Sequence, residues 1–351
     1  MSRPRRLLIL AEGHSDDPHY GKTGRGVLRY RPEQVVAVLD SQRAGETHDG
    51  VPVVATVEEA LALEPTTALV GVATQGGRFP PAWRELLKTA IASGLDIENG
   101  LHEFISEDPE LAQLAARHGV ELRDLRKPPP GLNVPTGENL THGGKVVLTV
   151  GSDCAIGKMT VALELDAETR RQGIASEFVP TGQTGMAIAG WGMAIDAVVS
   201  DFLAGATEQL VLEGRARGGE LLWVEGQGSL LHPAYSGVTL GLLHGSAPHV
   251  LVLCHMAGQK VVDDDDRFPI PPLSELIELY ERASLIARPA KVVAVALNTR
   301  NLDDAGARAA IEETQIATGL TTSDPVRFGA AEITAAVMGA LELGGLGLRH
   351  T

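Results

Sequence analysis

The stretch whose residue types could do chemistry most directly is Gly151-Ser152-Asp153-Cys154-Ala155-Ile156-Gly157-Lys158-Met159-Thr160. Glycines let backbone N–H groups turn inward, a following helix would add its positive end, and Lys158 offers a point charge to an anion. These ten residues are the expected phosphate-binding set. Their spacing departs from the common phosphate loop: five residues separate Gly151 from Gly157, one more than usual, and Met159 stands where a Ser or Thr normally follows the lysine. The hydroxyl comes one place later, at Thr160, about 100° further round a helix. The order of residues points to a phosphate cradle; a magnesium nucleoside triphosphate follows from it less directly.

The elements that must hold this loop are legible on either side. Val146 to Val150 is a short apolar, β-branched run, as a buried strand requires. From Lys158 to Arg171 the apolar residues fall at helical spacing without an internal Gly or Pro. Further strands are expected at 175–179, 220–224, 249–254 and 291–297, with helices at about 201–214, 272–286, 303–318 and 330–342. Ligands of open α/β sheets collect outside the carboxyl ends of the strands. The loops Pro180–Gly185, Glu225–Ser229, His255–Lys260 and Asn298–Arg300 are therefore expected to wall the site.

Upstream, strands at 6–12, 34–39, 51–54 and 68–73 and helices at 81–93 and 109–118 argue for a Rossmann-like unit. It has no Gly-x-Gly-x-x-Gly after its first strand, so that dinucleotide fingerprint is not supported. Gly21-Lys22-Thr23-Gly24-Arg25-Gly26 reads as a flexible loop whose two cations could clamp a carboxylate or phosphate. Asp96 to Phe104 could present His102 and Glu103 to a site, and reads equally as a solvated turn before the helix at 109–118. Three consecutive prolines, Pro128 to Pro130, forbid helix and central strand. The expected division is a Rossmann-like domain over 1–130 and a P-loop NTPase-like domain over 131–351 with a mostly parallel sheet, an α/β protein throughout.

Composition narrows the partners. With 351 residues and a net charge of −15, the chain disfavours nucleic acid and anionic membranes and suits small-molecule substrates. Two cysteines, Cys154 and Cys254, give no disulfide framework and suit a reducing cytoplasm. Leu7 to Leu10 is too short for a membrane span or signal core. A homo-oligomer is expected. The run Asp263-Asp264-Asp265-Asp266 reads as a solvated loop without calcium-loop spacing. The histidines show no paired spacing, so no metal is expected.

Gly151–Lys158, Pro180–Gly185 and Val224-Glu225-Gly226-Gln227-Gly228 together resemble the phosphate and substrate loops of dethiobiotin synthetase, an ATP-dependent ligase. A wider likeness runs through nearly the whole chain. Val27-Leu28-Arg29-Tyr30, Asn99-Gly100-Leu101-His102-Glu103-Phe104, the loop ending Lys158-Met159-Thr160, Asp201-Phe202-Leu203-Ala204-Gly205-Ala206 and Glu225-Gly226-Gln227-Gly228-Ser229-Leu230 are similar to the D-glutamate N-acetyltransferase-like family, long filed as a domain of unknown function. The resemblance implies transfer of acetyl from acetyl-CoA to the amine of D-glutamate or a related amino acid, in amino-acid catabolism. The dethiobiotin synthetase likeness leaves an ATP- and magnesium-dependent ligase or kinase as the alternative.

Acetyl transfer needs a base for the amine and donors for the tetrahedral oxyanion. Asp201, Glu225, His232 and His255 are the candidate bases, and the N–H groups of Gly182, Gly185 and Gly228 the candidate oxyanion donors. Lys22, Arg25 and Lys260 are the candidate cations for the acceptor's carboxylates, with Thr181, Gln183 and Thr184 as further substrate contacts. An acyl-cysteine route through Cys154 is conceivable at a helix N-terminus, but direct attack by the amine needs no enzyme nucleophile. Cys254 reads as core.

Overall fold

In the computed structural model, which describes residues 4–17, 20–80, 82–142, 144–284 and 287–343, the apolar runs form two separate sheets. The chain divides into a first unit, Met1–Pro128 with Gly182–Ala197, and a second, Pro129–Thr181 with Val198–Thr351. The return of Gly182–Ala197 to the first unit has no counterpart in the sequence reading.

The first unit holds β1 (Leu7–Leu10), α1 (Lys22–Tyr30), β2 (Val35–Leu39), β3 (Thr47–His48), β4 (Val51–Val54), α2 (Val57–Leu61), β5 (Thr67–Val70), α3 (Trp83–Ala92), β6 (Asp96–Asn99), α4 (Pro109–His118) and β7 (Leu122–Asp124). They build one sheet in the order β3-β4-β2-β1-β5-β6-β7, parallel apart from the β3–β4 pair. Strands buried on both faces read as continuous apolar runs, and β1 is buried at all four residues. Helix α4 starts where Asp108 accepts from the Glu110 and Leu111 amides and stops at left-handed Gly119.

Two expectations fail here. Residues 22–26 are not a flexible loop but the first turns of α1. Gly24 lies so close to the neighbouring strands that a Cβ would sit 2.8 Å from Ile9 Cγ2 and 3.3 Å from the Gly71 carbonyl oxygen. It is there for close packing, not for mobility. Residues 96–99 are a strand rather than a solvated turn. Asn99 is fully buried, donating to Asp124 and to the Glu103 carbonyl, and Glu98 accepts Nε–H and Nη2–H from one edge of the Arg5 guanidinium. Buried polar residues are tolerated in β6 because each finds a partner.

The second unit runs α5 (Asn139–His142), β8 (Lys145–Gly151), α6 (Lys158–Arg171), β9 (Ser176–Val179), then, after the excursion that carries α7 (Gln183–Ala189), α8 (Leu203–Ala216), β10 (Leu221–Val224), α9 (Ser236–Ser246), β11 (Val250–Met256), β12 (Val261–Val262), β13 (Asp265–Pro269), α10 (Leu273–Ser284), β14 (Lys291–Asn298), α11 (Asp304–Thr318), β15 (Thr321–Ser323) and α12 (Ala331–Leu343). Its six-stranded sheet is parallel, in the order β15-β14-β11-β8-β10-β9, with β8 between β11 and β10. The glycine loop thus leaves a central strand, flanked by the ends of β10 and β11. The acidic run 263–266 is not a plain loop, because β12 and β13 pair as an antiparallel hairpin around it. Among the described residues no helix is long and apolar enough to cross a membrane.

Candidate functional site

The phosphate loop is built from β8 outward. Gly151 ends the strand, Ala155 and Gly157 take positive φ of 52° and 113°, and α6 begins at Lys158. Its first ladder bond runs from the Val161 N–H to the Gly157 carbonyl, so the amides of Lys158, Met159 and Thr160 precede the ladder. Neighbouring elements hold the loop. Asn298 at the end of β14 donates to the Ile156 carbonyl at 2.9 Å. The Tyr280 hydroxyl, on α10, donates to the Gly151 carbonyl at 2.7 Å and accepts from the Leu230 amide at 3.2 Å. The Asp153 carboxylate receives Cys154 N–H, Gln259 Nε2 and Asp263 N–H, between 2.6 and 2.8 Å.

Lys158 is the feature that sets this loop apart. It is only 6% exposed, and its ammonium donates to the Asp153 backbone carbonyl at 2.5 Å. Among the described residues no carboxylate comes within ion-pair distance of it. Burial lowers its pKa, while Cys154, Cys254, Asp153 and Glu225 pull the other way. A buried cation without a counter-ion is costly, and an anion on the loop removes that cost. The stem of Lys158 runs beside Gly226, where a Cβ would lie 1.7 Å from the Thr149 carbonyl oxygen and 3.1 Å from Lys158 Cδ. Only glycine fits there.

Glu225, at the end of β10, is buried. Its Oε2 accepts the Thr181 amide at 2.9 Å and its Oε1 the Gln227 side chain at 3.2 Å, while Thr181 Oγ1 donates to the Glu225 carbonyl. Thr181 therefore positions Glu225. His255, at the end of β11, shares a 2.8 Å hydrogen bond between its Nδ1 and Ser152 Oγ; burial alone pulls its pKa down to about 4. His232 is buried, with Nδ1 accepting the Ala234 amide at 3.1 Å. Asp201 is exposed on the one-turn helix Ser200–Phe202, unlike the other three candidate bases. Lys260 is exposed after β11.

The remaining substrate candidates belong to the first unit. Lys22 and Arg25 are exposed on α1, and Arg25 donates to the Asp16 carbonyl. Gln183 and Thr184 open α7 and are already engaged: Gln183 Oε1 accepts from Arg126 at 2.9 Å, and Thr184 Oγ1 lies 3.0 Å from Thr23 Oγ1. Arg126, which sequence reasoning passed over, is buried and also pairs with Asp196 at 2.7 Å. With Arg5, which donates to the Ala187 carbonyl, it fastens 182–197 to the first sheet.

Burial raises the Cys154 thiol's pKa against the pull of Lys158, so the thiolate an acyl-cysteine route needs is disfavoured. Cys254 is in the core as expected, its thiol pushed up to about 12. Ligand atoms of Asp153, Cys154 and His232 lie within 4.8 Å of one another, a grouping that linear spacing of the histidines could not reveal. Tyr280 also escaped the sequence reading, lying on a helix whose pattern signals only packing, whereas Gln259 lies in the loop His255–Lys260 that was expected to wall the site. Asn298 was legible as a strand-end residue. A groove of about 430 Å³ along α11 and β15, lined by Ile311, Ile316 and Phe328, sits at the sheet edge and includes no residue of the glycine loop.

Fold and loop together define a P-loop α/β protein with a Rossmann-like N-terminal unit. The chain belongs to the DUF1611 family: residues 133–334 match its C-terminal P-loop domain of unknown function, and residues 39–128 its N-terminal Rossmann-like domain. It is 36% identical to a D-glutamate N-acetyltransferase of Tritonibacter scottomollicae over 333 residues, 94% of this chain and 97% of that one. A D-glutamate N-acetyltransferase of Pseudoalteromonas sp. is 36% identical over 280 residues, 79% and 82% of the two chains. A crystal structure of a DUF1611 family protein from Anabaena variabilis matches with a TM-score of 0.87 and 42% identity, covering 95% of this chain and 99% of that one.

Proposed function

We propose that this protein is an N-acetyltransferase that moves acetyl from acetyl-CoA to the amine of D-glutamate or a related amino acid, in amino-acid catabolism. The observation that carries the reading is the buried Lys158 ammonium, without a carboxylate partner among the described residues, at the head of a glycine loop and helix. Coenzyme A brings a diphosphate that such a loop can grip without cleaving it. The names of the two bacterial relatives support the acyl-group chemistry and the acceptor.

In this reading the loop Gly151–Thr160 holds the carrier. Glu225, aligned by Thr181 and Gln227, takes the proton that leaves the acceptor's ammonium. The amine nitrogen bonds to the thioester carbonyl carbon, the C–S bond breaks, the thiolate takes the second proton lost by that nitrogen and leaves as free CoA, and Glu225 gives the first proton up to solvent. The test is thiol release from acetyl-CoA with and without D-glutamate. Release that depends on D-glutamate, with no orthophosphate formed, supports the reading. Magnesium-dependent ADP or orthophosphate formation without thiol release replaces it by the ATP-dependent ligase alternative.

A further inference from the structure

Three basic side chains gather at the amino end of the second unit's sheet with no acid to answer them. Lys145 opens β8, His249 stands one residue before β11, which pairs with β8, and Arg288 lies between α10 and β14. Each is half-buried. The Val146 N–H donates to His249 Nδ1 at 3.1 Å, the Arg288 guanidinium meets His249 Nε2, and Arg288 Nη2 donates to the Leu140 carbonyl at 3.3 Å. Among the described residues no carboxylate lies within ion-pair distance of any of the three, and the Lys145 ammonium makes no hydrogen bond. The glycine loop leaves the other end of β8, at Gly151, so cluster and loop lie at opposite ends of one strand.

Two features set the cluster apart from ordinary surface cations. The first is at His249, where N–H donors approach both ring nitrogens. A neutral imidazole has one nitrogen lone pair to give and an imidazolium has none. Whichever nitrogen carries the proton, one N–H faces another. The second is charge. Burial lowers the pKa of Lys145, His249 and Arg288 alike, the guanidinium lowers Lys145 further, and both cations help to pull His249 down to about 3. No acid among the described residues pulls any of them back. An isolated surface cation is content with water, but like charges gathered and partly desolvated raise one another's cost. The chain carries a net charge of −15, so the want of a carboxylate here is not for lack of acids.

We propose that Lys145, His249 and Arg288 form a binding site for a phosphate-type oxyanion, separate from the glycine loop. An oxygen beside His249 accepts from Nε2–H and from the guanidinium together, which leaves Nδ1 to the Val146 N–H and removes the conflict between donors. Number and charge favour phosphate over carboxylate. A tetrahedral anion offers three or more oxygens to imidazole, guanidinium and ammonium at once, where a carboxylate offers two, and the two fixed positive charges match a dianion. The site is independent of the acetyl-transfer reading.

The test titrates the full chain with sodium phosphate at mildly alkaline pH, where phosphate is a dianion, with ionic strength held constant by sodium chloride. It is followed by melting temperature and by ¹⁵N NMR of the His249 imidazole, whose signals are assigned by their absence in His249→Gln. Phosphate should move those signals along one saturation curve in wild type and in Lys158→Met alike, and the rise in Tm should persist in Lys158→Met, whose glycine loop lacks its ammonium. In that background Lys145→Met and Arg288→Gln should each weaken the phosphate Kd about 10–100-fold, as loss of one charge-assisted hydrogen bond does. Unliganded Lys145→Met should melt no lower than its parent, because it relieves repulsion between like charges; this keeps the test valid if Arg288→Gln folds poorly. Glycerol phosphate separates the sources of the ligand: binding of similar strength admits phosphate monoesters, and exclusion confines the site to the free ion. The proposal is overturned by a phosphate effect no larger than that of chloride, by a response that vanishes in Lys158→Met, or by a Kd unchanged in both Lys145→Met and Arg288→Gln. Succinate binding as tightly as phosphate would also overturn it.

Discussion

Two glycine-and-cation stretches look alike in the sequence and differ in the folded chain. Gly21–Gly26 presents Lys22 and Arg25 to solvent from the start of α1, and its Gly24 is spent on close contact with β1 and Gly71. Gly151–Lys158 folds its lysine inward beneath Gly226, with a backbone carbonyl as the only hydrogen-bond acceptor it has among the described residues. An exposed cation is content with water and contributes little wherever it sits. A buried one is costly until an anion arrives. Residue type and spacing do not distinguish a binding loop from a packed helix start; the solvation of the charge does.

The comparison can be broken most severely at Gly226. Gly226→Ala forces a Cβ into the Thr149 carbonyl oxygen and should cost roughly 3–5 kcal/mol of stability, measured by denaturant titration. A loss below about 1 kcal/mol would mean the strand ends are not that close. Next comes pH. The folded His255 resists protonation until about pH 4, whereas the unfolded imidazole takes its proton near 6.5. The unfolded state therefore binds more protons between those values, and stability falls as pH drops through that window, by up to about 3 kcal/mol. His249, pulled down to about 3 by burial and then by Arg288, acts in the same direction. His255→Gln should show a shallower decline in unfolding free energy between pH 7 and pH 5; an unchanged slope contradicts the assignment. The smallest effect is expected on the other side of the comparison. Lys22→Ala and Arg25→Ala should each change kcat/KM by less than about threefold, as exposed charges do. A tenfold loss in either would restore the clamp that the sequence suggested for them.

Local signals carried most of the fold. Helix α4 runs over the residues expected because Asp108, Pro109 and Gly119 mark its ends, and β8 and α6 were readable from their periods. What failed was long-range. Nothing in Gly182–Ala197 announces that Arg5 and Arg126 hold it to the first sheet, because such contacts join residues far apart in the chain. Residues Asp96–Asn99 looked too polar for a buried strand until Arg5, Arg123 and Asp124 supplied the partners. At the site, the loop, Glu225 and Asn298 were legible as strand-end residues. The Nδ1 bond of His232 was not, since it depends on one backbone amide two residues on.

The measurement that bears most directly on the account is the thermal shift caused by CoA in wild type and in Lys158→Met. The methionine fills the lysine's stem without bringing a charge, so the unliganded variant should melt no lower than wild type, while the CoA-induced rise in Tm is lost and CoA affinity drops about 10–100-fold. A variant that melts well below wild type yet keeps the full CoA-induced rise would show that Lys158 supports the fold and does not grip the carrier.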